Sequence, residues 1–196
     1  MTRNRAAGKW AGRSTSLLYR RVVDLLVKGQ AHEARQLLEA AMSAASARPI
    51  VWSLLASVHE YEGRRGLADR LLIRAARRFP KSAEIRLDRV ELAAEHTSWA
   101  TVFRLAKRLE RAIVEKRVVW RTIHRREDFH LIFARAAGQC RGLNEELSVL
   151  GRALSAQPES QIIRVATAKA IGRAQQQPQN LKSKPKQPRG PRRLAG

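Results

Sequence analysis

Residues 49–82 read PIVWSLLASVHEYEGRRGLADRLLIRAARRFPKS, and this stretch decides the fold. Trp52, Leu55, Ala56 and His59 recur at helical spacing, and Gly63 offers a turn. Leu67, Ala68, Leu71, Leu72 and Ala75 then form a second apolar stripe, which Pro80 closes. The spacing predicts two helices hinged at Gly63. Ala56, Ala68 and Ala75 fall where the helices approach closely, while Trp52, Leu55 and Leu72 fill the space around them. The same signal occurs 34 positions earlier, where Gly29, Ala34, Leu38 and Ala41 stand as Gly63, Ala68, Leu72 and Ala75 do later. A recurrence of that length is one helix–turn–helix unit of a stacked array.

Working outward, Leu17, Leu18, Val22, Leu25 and Leu26 mark a helix that ends at Lys28-Gly29-Gln30, and a second runs over about 31–46. Residues 83–115 form a third, degenerate unit: Val90 and Ala93 keep their places, but Trp99, Phe103 and Ala106 are shifted. Ala134, Leu150, Ala153 and Pro158 repeat the spacing of Ala56, Leu72, Ala75 and Pro80 at a distance of 78, which is two repeats plus ten residues. The ten extra residues must fall near 116–126 (KRVVWRTIHRR). Residues 159–173 are then a capping helix. Residues 1–14 read as a basic flexible arm, 15–173 as the array, and 174–196 as a disordered tail rich in Pro, Lys and Arg.

Trp52, Leu55, Ala56, Ala68, Leu72, Ala75 and Pro80 resemble the tetratricopeptide repeat (TPR) pattern, with His59 where that family usually has an aromatic. The resemblance implies an all-α, right-handed array of about four helix pairs plus a cap, with a concave groove able to cradle a peptide. One TPR subset clamps acidic chaperone tails with Lys, Asn and Arg on first helices. Here the matching positions hold Ser53, Ser57, Tyr19 and Val23, so that clamp is missing and the groove of the first unit is comparatively apolar.

Charge is the second strong signal. The chain has 39 Lys and Arg against 17 Asp and Glu, a formal charge of +22. Residues 1–23 and 160–196 contain no acid, and residues 101–126 hold nine cations against two acids. Gathering positive charge into two ends and one block suits contact with a polyanion. On a helix Arg104, Lys107, Arg108 and Arg111 share one face, opposite Leu105, Leu109, Ala112 and Ile113. A continuation of that helix carries Arg117, Arg121, His124 and Arg125 at similar spacing, with Arg126 beside them and Trp120 placed either to stack on an unpaired base or to enter the core. In the tail, Lys182, Lys184, Lys186, Arg189, Arg192 and Arg193 alternate with prolines that hold them extended. A solvated helix face is the competing reading for any such run.

Catalytic signals are weak. No metal-ligand pair, glycine-rich phosphate loop or nucleophile elbow is present, and no cofactor is expected. Cys140 and His130 lie too far apart on one helix to pair, so Cys140 reads as a small buried hydrophobe. A lone cysteine points to a reducing compartment such as the cytoplasm. The acid-free first 23 residues also suit a mitochondrial presequence, and the tail a nuclear address. The residues thus favour a non-enzymatic scaffold for nucleic acid, RNA ahead of DNA. Its rival is an adaptor for an acidic protein, with a peptide in the groove.

Overall fold

A computed structural model describes residues 17–43, 48–120 and 123–176. Among them, nine α-helices follow one another: α1 Leu17–Val27 and α2 Ala31–Ser43, α3 Pro49–Tyr61 and α4 Arg65–Arg78, α5 Ala83–His96 and α6 Trp99–Val114, α7 Ile123–Arg141 and α8 Leu143–Ala156, and finally α9 Gln161–Gln176. This is the expected array of four pairs and a ninth helix. α9 runs three residues past the expected end of the array at 173. Residues 1–16 and 177–196, including the tail cations, lie outside the described residues.

The turns explain the pairing. Gly29, Gly63 and Gly142 adopt φ values of 78°, 79° and 90° between the helices of the first, second and fourth pairs, a region that costs other residues a Cβ clash. In the degenerate third pair that glycine is missing. Thr97 ends α5 there instead, sending its backbone N–H and its hydroxyl to the Ala93 carbonyl, each at 2.8 Å. Pro49 sits in the first turn of α3, where its missing N–H costs nothing.

Each helix packs on its sequence neighbours. In addition α1, α3, α5, α7 and α9 lie side by side, α1 on α3, α3 on α5, α5 on α7 and α7 on α9. The odd-numbered helices thus form a continuous inner layer, with the even ones outside it. Ala56, Ala68 and Ala75 are buried at the close approaches, and Ala134, Leu150 and Ala153 repeat this in the fourth pair. Trp52 meets Phe79 edge to face with centroids 6.4 Å apart. Under the last pairs Phe129 and Phe133 are wholly enclosed and stacked, 5.8 Å apart.

The ten extra residues divide in two. Their first part folds back along the array: the Val119 N–H donates to the Lys81 carbonyl at 2.8 Å, and the Ala83 N–H donates to the Val119 carbonyl at 3.3 Å. Val118 is buried by this contact. Their second part lengthens the start of α7, which reaches 19 residues. The α6 helix therefore does not continue through 126, as the charge pattern suggested. It stops at Val114, and Lys116 takes a left-handed φ of 55°.

Candidate functional site

The inner layer is tied together by a buried polar network that the sequence pattern did not reveal. Asp88 and Glu91, three apart on α5, turn inward with Leu87 and Val90. Arg125, from the extra turn of α7, reaches both. Its Nη2 donates to Asp88 Oδ1 at 2.5 Å and its Nη1 donates to Glu91 Oε1. From α3, the Ser53 hydroxyl donates to the other Asp88 oxygen. Three successive inner helices are joined through these four side chains. Burial pulls the Arg125 pKa down, but the charges of Asp88 and Glu91 outweigh it and hold the guanidinium further into its charged form. This corrects the sequence reading of Arg125 as a surface contact: only 8% of the residue is exposed, and its donors are spent on carboxylates.

Alongside the network, the cleft between α3 and α5 is lined by Ser57, Glu60, Asp88, Glu91 and Leu92, with Ala68 and Leu72 of α4 behind. It encloses only about 10 Å³, far less than a small-molecule pocket. At one end His96 Nε2 lies 2.9 Å from Glu60 Oε1. Glu60, Glu95 and His96 bring one ligand atom each within 4.8 Å of one another, the one such grouping among the described residues. The hydrogen bond between His96 and Glu60 already satisfies two of the three.

The cations of α6 are placed differently. Val102, Ala106, Leu109 and Ala112 form its buried stripe, leaving Arg104, Lys107, Arg108 and Arg111 exposed on the other side. Together with Cys140 and Arg141 at the end of α7 they border a recess of about 520 Å³. Phe103 lies in its wall, with Lys107 Nζ 5.8 Å and Arg141 Cζ 6.0 Å from the ring centroid. Among the described residues none of these five cations has a carboxylate within 4.0 Å. The nearby acids are engaged elsewhere, Glu110 with Arg152 at 2.9 Å and Glu146 with Arg173 at 2.6 Å. Cys140, expected as a buried hydrophobe, is half-buried at the rim.

The other sequence candidates do not join this face. Arg117 sits on the folded-back segment, exposed and paired with Glu115. It lies near Arg86, whose pKa is lowered by burial and then by the Arg117 charge. Trp120 is half-buried, 5.9 Å from the Phe129 ring, and its indole N–H is buried without a partner, so the base-stacking alternative gives way to the core one. Arg126 is half-buried with its Nε enclosed. Arg121 and the tail cations Lys182, Lys184, Lys186, Arg189, Arg192 and Arg193 lie outside the described residues. Arg141 was missed because nothing in sequence links it to a helix that starts 42 residues earlier.

The architecture can be compared with solved structures. A tetratricopeptide repeat protein from Parabacteroides merdae ATCC 43184 superposes with a TM-score of 0.59 at 15% identity, covering 87% of this chain and 62% of that one. YrrB, described as a TPR protein with an unusual peptide-binding site, gives 0.53 at 16% identity, covering 85% and 84%. The fold is TPR-like. No protein-family model matches the sequence, and no curated protein does. Among the described residues no helix is long and apolar enough to cross a membrane.

Proposed function

We propose that this chain is a non-enzymatic scaffold that holds an extended segment of a partner protein along its inner layer. The observation that carries this is the unbroken row of α1, α3, α5 and α7, pinned by the Ser53–Asp88–Arg125–Glu91 network. A rigid row of helices offers preorganised side chains over a long track, and that lowers the ordering cost of binding. The cleft between α3 and α5 is too small for a small-molecule substrate, yet its half-buried Ser57 offers a hydroxyl to a chain laid across it. The likeness to a TPR protein with a peptide-binding site supports the same reading. The basic ends, whose sequence holds no acid, serve as address or assembly signals.

The test is affinity capture by the full chain before and after nuclease treatment, repeated with Ser57→Arg. A bulky cation at this half-buried position blocks the track without entering the core. A protein partner that survives nuclease and is lost from the Ser57→Arg variant supports the proposal. Identical capture by both chains, or capture abolished by nuclease, overturns it.

A further inference from the structure

The recess between α6 and the end of α7 is separate from the inner layer, and its chemistry is unlike that of the α3–α5 cleft. We infer that it binds the phosphate backbone of a single-stranded nucleic acid. Four arguments meet here.

The first is charge without compensation. A solvated helix face ordinarily carries acids one turn away from its cations. On α6 the two candidates are taken out of play: Glu110 is held by Arg152, and Glu115 lies beyond the helix on Arg117. Five cations therefore converge on one concavity with their fields unbalanced.

The second is shape. Arg104 to Arg111 spans about 10.5 Å of helix axis at 1.5 Å per residue. A strand that keeps duplex-like stacking, with one phosphate per roughly 3.4 Å of axis, sets about three phosphates along that distance. The cations form one row beside a concave wall, which suits one strand better than the paired backbones of a duplex.

Third comes the lining between the cations. Apart from the charged groups it is Ala100, Phe103 and Cys140. A small polar ligand needs neutral donors and acceptors to fix its orientation, and none border the recess. Both Lys107 and Arg141 already attend the Phe103 ring, so stacking a base there would displace them. What remains is contact with phosphate, which positions a strand without reading its bases. RNA and DNA strands should accordingly bind alike, since no neutral hydrogen-bonding group is present to read a 2′-hydroxyl.

Finally, the chain's own ends are excluded as occupants. Residues 1–16 carry four cations and no acid, and residues 177–196 six and no acid.

The experiment uses the full chain and a fluorescein-labelled 20-nucleotide single strand, as RNA and as DNA, titrated between 50 and 200 mM salt. The test variant is Arg104→Gln, Lys107→Gln, Arg108→Gln and Arg111→Gln. The control, Arg65→Gln, Arg70→Gln, Arg74→Gln and Arg77→Gln, removes the same charge from exposed positions on α4. The expected result is at least a tenfold weaker complex for the α6 variant at 100 mM salt. Its salt slope should flatten by about 2, as losing three single-strand phosphate contacts requires. The α4 variant should stay within about twofold of the parent. As an independent reading, the strand should slow alkylation of Cys140, the only cysteine in the chain. Equal weakening by both variants would show attraction to total charge and sink the proposal. So would a polyglutamate of matched charge that shields Cys140 better than the strand does, which would make this an acidic-protein surface. If the quadruple variant loses helicity, the single exposed changes Arg108→Glu and Arg141→Glu pose the same question. Ser57→Arg should leave strand binding unchanged, so this site and the inner-layer proposal can fail independently.

Discussion

Replacing Arg125 by Ala is the most demanding test of how the array is held together. The side chains of Arg125, Asp88 and Glu91 are 10%, 9% and 8% exposed, so removing the guanidinium strands two carboxylates away from water. With the charge centres about 4 Å apart and an effective dielectric near 20, each pairing has a gross attraction of about 4 kcal/mol. Most of that is offset by the desolvation the charges underwent on folding. The net cost of breaking a buried pair from one side is about 3–5 kcal/mol, because the remaining charge is left uncompensated. For an array of this size that corresponds to a drop in Tm of roughly 6–20 °C. Asp128, half in solvent at 3.9 Å from Arg125, loses the same cation but adds little to the cost. Urea and thermal unfolding followed by helicity provide the measurement, with the triple variant Asp88→Leu, Glu91→Leu, Arg125→Met as the control. Exchanging all three charges for apolar groups of similar volume should recover most of the loss. The reasoning fails if Arg125→Ala lies within 1 kcal/mol of the parent, or if the triple variant is no more stable than the single one.

Three further outcomes follow from the same packing. Burial, then the charges of Arg126 and Arg152, push His130 from 6.5 down to about 4. Between those values the unfolded chain binds a proton that the array refuses, so stability is full above pH 6.5 and falls as pH drops toward 4. That loss amounts to at most about 3 kcal/mol, and His130→Leu should remove most of this slope from pH-dependent unfolding curves. Trp120→Ala should cost about 3 kcal/mol in chemical denaturation through lost contact with Phe129, while leaving strand affinity within twofold. Val119→Pro deletes the N–H that reaches the Lys81 carbonyl, and should lower stability by about 1–2 kcal/mol with new amide exchange confined to residues 81–83 and 117–120.

The array itself was legible because its signals are local. Gly63, the alanines and Pro80 act within one turn or one helix pair, and a spacing of 34 copies that local logic along the chain. Even the slip of ten residues could be located, since Ala134, Leu150 and Ala153 must still meet the same kind of neighbour. What was not legible were contacts that cross units. Asp88 and Glu91 sit 34 and more residues from Arg125, and three charged residues at helical spacing look the same in sequence whether they face water or one another. The one available hint was positional: Asp88 and Glu91 interrupt the inward stripe of Leu87, Val90 and Ala93, and an acid on an apolar face calls for a cation.

The fate of the basic block shows why a charge run has to be divided before it is interpreted. Residues 101–126 hold nine cations in sequence, but the chain breaks them at Lys116. On the near side, α6 keeps a regular helix, so cations at i, i+3, i+4 and i+7 stay in one row and remain unpaired. Beyond the break, among the described residues, Arg117 pairs with Glu115 at the surface, Arg125 reaches the core carboxylates and Arg126 takes a half-buried position. The left-handed residue at 116 thereby separates cations that stabilise the stack from cations that are free to meet an anion. Charge removed from α6 should change binding and spare the fold, whereas charge removed at Arg125 should do the reverse. A variant pair showing both effects at both places would mean that the two groups are not separate.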